Sequence, residues 1–256
     1  MFCRRHGGKM KIAIITGASR GIGAATAELA AKAGFDVCIN YLSNHTRAAE
    51  VVAKCQALGV RAISVAGDVA SETDVANLFD TCDRELGTVT FLVNNAGIVG
   101  KESKVENLPT DVLHQTFAVN FFGPFYCAQE AIRRMSTNNG GTGGTIVNVS
   151  SIAATNGSPG EYVHYAASKA ALDGFTIGLA REVGREGIRV NSVQAGTADT
   201  EIHTLGGNPD RPAMVAQKAP LGRVATAHEI GEAIMWLGSE KSSYATGAVL
   251  RVGGGL

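Results

Sequence analysis

The segment EYVHYAASKAAL, residues 161–172, holds two tyrosines and one lysine. Residues four apart on a helix share a face, one turn above the other. Tyr165 and Lys169 have that spacing, whereas four beyond Tyr162 stands Ala166. A phenol beside an ammonium is a proton donor whose conjugate base the neighbouring charge stabilises. Tyr165 is therefore the only one of the two tyrosines that can share its helical face with an ammonium at that spacing. The same pair on a surface helix would do no chemistry, so the surrounding elements must decide.

From Lys11 the chain alternates strand-like and helix-like segments. KIAIIT is a β-branched run, and AATAELAAKAG reads as a helix closed by a glycine. FDVCINY, RAISVAGDV, TFLVNNAG, TGGTIVNVSS, IRVNSVQAG and ATGAVLRVGGG read as further strands. Helical patterns stand between them, the longest being LPTDVLHQTFAVNFFGPFYCAQEAIRRM. Several strands are nearly continuous apolar runs, the mark of a sheet covered on both faces. The fold class that follows is α/β, a doubly wound parallel sheet of the Rossmann type in one domain over residues 10–256. Residues 1–9 read as an N-terminal extension, disordered or an expression remnant, and are left outside the fold.

The first strand runs into Thr16-Gly17-Ala18-Ser19-Arg20-Gly21-Ile22-Gly23, and a helix starts at once. Such a turn aims unpaired backbone N–H groups and a helix N-terminus at one point, a site for a pyrophosphate. Binders of NAD commonly place an acid near the end of the second strand, for the ribose 2′-hydroxyl. Here that stretch reads NYLSN, residues 40–44, without an acid. Arg20 could pair a 2′-phosphate, with Asn40 and Ser43 as hydrogen-bond donors, so NADP is expected over NAD.

Composition narrows the alternatives. A chain of 256 residues that is 45% hydrophobic has enough apolar material for an ordinary core. Basic and acidic residues balance at 23 each, which gives no field favouring nucleic acid or an anionic membrane. The five cysteines stand singly and the histidines form no metal-ligand pattern, so reduced thiols in a cytoplasmic protein without a metal are expected. No apolar run approaches the length of a membrane span.

TGASRGIG, NNAG at 94–97, Asn120 in AVNFFG, VNVSS at 147–151 and YAASK at 165–169 occur in this order. Together they resemble the classical short-chain dehydrogenase/reductase family, over essentially all of residues 11–256. Within it the chain looks most like bacterial 3-oxoacyl-carrier-protein reductases and glucose 1-dehydrogenases. The resemblance implies that Tyr165 protonates a carbonyl oxygen as hydride arrives. It gives Lys169 the nicotinamide ribose, Ser151 the substrate oxygen and Asn120 a water in a proton relay. Asp68 and Val69 would flank the adenine, Asn95, Ala96 and Gly97 the adenosine ribose, and Ala198 and Thr200 the nicotinamide carboxamide or phosphate. A homotetramer is implied as well.

Bringing a phenol from its usual pKa to neutrality needs about three units, roughly 4 kcal/mol. Opposite charges about 4 Å apart supply that order of energy at an effective dielectric of 20, so Lys169, helped by the positive charge of oxidised nicotinamide, is expected to provide most of the shift. Two features depart from the family pattern. Ser151 lies fourteen residues before Tyr165, one more than usual, and is preferred to Ser150, whose side chain should face the other way. After the strand IRVNSV stands Gln194-Ala195-Gly196 where Pro-Gly is usual, which should loosen that turn. Residues 199–223 read as a mobile closing loop. The expected substrate is a 3-oxoacyl thioester or small ketone, with a sugar as the alternative. A reading from another class is a regulatory protein that binds NADP without turnover.

Overall fold

The computed structural model describes residues 11–201 and 208–256. Residues 1–9, and 202–207 of the expected closing loop, lie outside the described residues.

Seven strands form one sheet: β1 (Ile12–Ile15), β2 (Asp36–Tyr41), β3 (Ala62–Ala66), β4 (Phe91–Asn94), β5 (Gly144–Ser151), β6 (Ile188–Ala195) and β7 (Val249–Val252). Their spatial order is β3-β2-β1-β4-β5-β6-β7, and every neighbouring pair is parallel. Among the described residues the α-helices are α1 (Gly21–Lys32), α2 (His45–Ala57), α3 (Glu72–Glu85), α4 (Thr110–Phe117), α5 (Gly123–Met135), α6 (Ala153–Asn156), α7 (Val163–Val183), α8 (Arg211–Lys218) and α9 (Ala227–Leu237).

Successive strand residues point to opposite faces, and the two cores follow from that alternation. Ile15, Val93, Val147 and Val193 pack with α1, α2 and α9, whereas Ile14, Leu92, Ile146 and Val190 pack with α3, α5 and α7. The expected Rossmann-type sheet, with helices on both faces, is what the chain forms. The described cysteines Cys38, Cys55, Cys82 and Cys127 are buried in these cores.

The topology also locates the site. From β1 the chain adds strands outward to β3, then returns to lay β4 on the other side of β1. The connections after β1 and β4 therefore part in opposite directions, which opens a crevice at the strands' carboxyl ends. The long helical stretch expected before β5 is interrupted. Ala118–Phe122 form a π-helical turn between α4 and α5, and Asn120 within it is fully buried. The extra residue in that turn carries Asn120 towards the crevice, a use to which π-bulges are often put.

Candidate active site

The glycine turn after β1 is built to leave room. Gly17 and Gly21 have φ of +61° and +57°, values that side chains other than glycine rarely adopt. A Cβ on Gly17 would lie 2.8 Å from Ala96 Cα, and one on Gly23 2.5 Å from Asn95 Nδ2. Thr16 Oγ1 accepts from the Asn95 and Ala96 amides, at 3.0 Å each, and Asn95 Nδ2 donates back to Thr16 O at 2.8 Å. The two loops of the crevice are thus laced together. At the start of α1 no side chain caps the helix, and no acid stands in the first turn. The first-turn N–H groups keep their full attraction for an anion. The cradle fits a pyrophosphate, as the sequence suggested, with Ser19 and Ile22 half-buried in it and the Thr200 methyl over Gly21. Gly23→Ala should weaken dinucleotide binding at least tenfold in a fluorescence titration and lower the melting temperature, since overpacking costs about 1–3 kcal/mol. Unchanged affinity would show that this close approach is dispensable.

At the adenosine end Asn40 is buried; its Oδ1 accepts from the Gly17 amide at 3.3 Å and its Nδ2 donates to Gly67 O at 2.8 Å. Its amide thus holds the glycine turn to the end of β3. Ser43 is exposed. Arg20 Nη1 lies 3.5 Å from Glu201, and Arg47 Nη1, on the first turn of α2, lies 2.5 Å from the other oxygen of the same carboxylate. Glu201 is held below the usual carboxylate range, chiefly by the Arg47 hydrogen bond. Two guanidinium groups thus converge on one anionic group beside the phosphate cradle. Asp68 is half-buried and its Oδ1 accepts from the Ala70 amide at 2.9 Å; Val69 is buried against Gly123.

Ser151 acts on the Tyr165 phenol and lowers its pKa, while its Oγ accepts from the Ala153 amide at 3.1 Å. Ser150 faces α7 instead, where its Oγ donates to Lys169 O at 3.2 Å. Lys169 is 4% exposed, and its Nζ donates to Val149 O at 2.8 Å. The same Nζ lies 3.4 Å from where a Gly97 Cβ would stand, and 5.9 Å from the centre of the Tyr165 ring. Burial pushes Lys169 down to about 8, and Asp173 opposes that shift. Tyr165 is raised by burial; Ser151 and Arg211 pull it back. The Lys169 ammonium gives its hydrogen bond to Val149 O.

Asn120 uses its side chain fully as a donor. Its Nδ2 donates to Ile98 O and Ser168 Oγ, at 2.8 and 3.1 Å, while its Oδ1 accepts from the Ile98 amide at 2.9 Å. It sets the Gly97–Ile98 backbone beside Lys169, and only its remaining oxygen lone pair can meet a water.

The other tyrosine is a wall residue. Tyr162 is 3% exposed, and its hydroxyl donates to Glu102 at 3.2 Å. Arg211 stacks 5.1 Å from its ring centre and donates to Glu161 at 2.6 Å, so the first turn of α8 lies against the residues that lead into α7. Asn208 Nδ2 joins Glu102 at 3.2 Å.

The turn after β6 holds without its proline. Gly196 N donates to Val252 O at 2.8 Å, Ile152 N to Ala195 O at 3.0 Å and Ala225 N to Thr197 O at 3.0 Å. Ala198, buried, bridges to Ala225. These backbone bonds tie the turn to β7, to α6 and to the segment before α9.

A family model described as enoyl-(acyl carrier protein) reductase matches residues 17–256. An uncharacterized oxidoreductase of Escherichia coli K12, YgfF, is 45% identical over 246 residues, covering 96% of this chain and all of that protein. The chain belongs to the short-chain dehydrogenase/reductase family.

An L-rhamnose 1-dehydrogenase (NAD(P)(+)) of Sphingomonas sp. SKA58 is 40% identical, covering 96% of each protein. Among solved structures, a blue fluorescent protein from a metagenomic library in complex with NADPH superposes with a TM-score of 0.88 at 34% identity, covering 96% of this chain and 97% of that one. As a short-chain dehydrogenase/reductase the protein is an NAD(P)-dependent oxidoreductase. Among the described residues no helix is long and apolar enough to cross a membrane. Sequence reasoning about this dehydrogenase/reductase missed Arg47 and Asp173. Arg47 follows the second strand by six residues, and Asp173 continues the four-residue spacing of Tyr165 and Lys169, so both signals stood in the sequence.

Proposed function

We propose that the protein is an NADP-preferring dehydrogenase/reductase that moves hydride between the nicotinamide and a small carbonyl or secondary alcohol. The observation that carries this reading is the grouping of Tyr165 with Lys169, whose Nζ lies 5.9 Å from the centre of the phenol ring and is buried beside Gly97, and with Ser151, which acts on the phenol. Gly17, Ser19, Gly21, Ile22 and Gly23 would hold the pyrophosphate, Arg20 and Arg47 the 2′-phosphate, and Asp68, Asn95 and Ala96 the adenosine. When bound, the nicotinamide supplies or accepts the hydride. Ser151 orients the substrate oxygen, and Tyr165 gives it a proton in reduction or removes one in oxidation. Lys169 holds the ribose side of the pocket with its charge behind the phenol. Asn120 holds the Gly97–Ile98 backbone that walls this pocket.

The acid and amide groups of Glu102, Glu161 and Asn208, around Tyr162, suit a hydroxylated substrate better than an acyl chain. The 40% identity to an L-rhamnose 1-dehydrogenase supports the same choice. The test is a panel of aldoses with NADP+ and NAD+, run beside acetoacetyl thioesters and small ketones with NADPH and NADH. Turnover of aldoses supports the sugar reading, turnover of thioesters alone replaces it, and binding of NADPH without any turnover favours the regulatory reading.

Removing one guanidinium from a phosphate should cost about tenfold in affinity. Arg20→Ala and Arg47→Ala should each raise KM for NADPH by that factor and leave KM for NADH unchanged. Equal effects on both cofactors would place the arginines outside the 2′-phosphate site.

A further inference from the structure

The proposed chemistry leaves one buried charge unused. Asp173, 9% exposed, stands on α7 one turn beyond Lys169. Its Oδ1 accepts from Ser192 Oγ at 2.7 Å and its Oδ2 from Gln194 Nε2 at 2.8 Å. These donors stand two apart on β6, so both face α7 from the same side of the sheet. Both are neutral, so they satisfy the carboxylate without cancelling its charge. Gln194 leads directly into the turn at 195–198, which lacks the family's usual proline.

We propose that Asp173 is a positioning residue: a buried carboxylate that keeps Lys169 charged and clamps α7 to the strand leading into the nicotinamide turn. A buried ammonium and a buried carboxylate each carry a large desolvation cost, and each offsets part of the other's. Lys169 gives its hydrogen bond to the Val149 carbonyl, which carries no net charge. Asp173 is thus its counter-charge from one turn away. The remaining groups about the pocket are Tyr165 on the same helix, Arg211 on α8 acting on Tyr165, and the neutral Asn120 and Ser150. Asp173 is the one charge that raises Lys169 against its burial. This role in catalysis rests on the proposed part of Lys169.

The test compares wild type with Asp173→Asn, which keeps size and hydrogen-bonding capacity and removes the charge. Only a charged Lys169 benefits from the carboxylate. The loss in melting temperature of the cofactor-free full chain should therefore be larger at pH 7 than at pH 9.5. In a Lys169→Met background the loss should no longer change with pH. In turnover, the alkaline limb of kcat/KM for carbonyl reduction should move about one unit lower, the scale of a neighbouring opposite charge. Asp173→Glu should move it back. Should Asp173→Asn fail to fold, Asp173→Ser provides the neutral side chain and is read the same way. A loss in melting temperature that is identical at both pH values in both backgrounds, with an unmoved limb, overturns the proposal and leaves Asp173 as a packing residue. The unfolding arm needs no substrate. Failure to find a turned-over carbonyl, with the pH-dependent loss present, counts against the proposed function and not against this role.

Discussion

Tyr165→Phe should lose about 10³-fold in kcat, within the range for removing a general acid, while binding NADPH as the wild type does. The substitution deletes the hydroxyl on which Ser151 acts, and it leaves the ring in place beside Lys169. Tyr162→Phe is the matched control. It deletes a hydroxyl that donates to Glu102 at the rim, and it should cost about 1 kcal/mol of stability or less. Its kcat should stay within a few-fold of wild type. Single-turnover mixing of enzyme, NADPH and carbonyl separates the chemical step from binding. Substantial turnover by Tyr165→Phe would remove Tyr165 as the acid. A large loss of kcat in Tyr162→Phe would show that the rim shapes the reacting geometry.

The contrast between the two tyrosines shows which parts of the site the sequence carries. Helical periodicity places Tyr165 with Lys169, because the helix there is regular for 21 residues, while Tyr162 stands just before its first residue. Strand alternation likewise separates Ser150 from Ser151, since one faces α7 and the other the crevice. Asn40 lies beyond the same kind of reading. Its position at the end of β2 is legible, but whether its amide turns to a ligand or to Gly67 is decided by a strand that pairs across the sheet. The direction of the Lys169 ammonium is of this kind too. The Val149 carbonyl that takes it belongs to a neighbouring strand twenty residues earlier. The π-helical turn at Ala118–Phe122 left no periodic trace, because one inserted residue barely disturbs an apolar pattern on either side.

Lys169→Met should move stability and activity in opposite directions. The folded protein binds the lysine proton less tightly than the unfolded chain does, since burial brings the group down to about 8 from 10.5. Its charge therefore opposes folding at every pH below about 8, by about 3 kcal/mol for a shift of this size. That cost fades as the pH rises through 8 towards 10.5, because the folded lysine then gives up its proton first. Methionine fills a similar volume without a charge and forfeits the hydrogen bond to Val149 O, worth about 1 kcal/mol. The variant should thus be more stable than wild type near pH 7, by about 2 kcal/mol or several degrees in melting temperature. The gain should shrink as the pH is raised towards 10. Catalysis should fall at least a hundredfold, with NADPH affinity reduced, since the pocket loses the charge behind the phenol and a donor beside Gly97. Thermal melts across pH, paired with kcat and a binding titration at pH 7, check both halves. A variant less stable at pH 7 than at pH 10 relative to wild type would mean that the surrounding fold welcomes the ammonium. A variant that is both more stable and fully active would mean that the buried charge serves no chemistry. The expected result, stability gained where activity is lost, is how a fold behaves when it holds a charge in place for a reaction and not for its own cohesion.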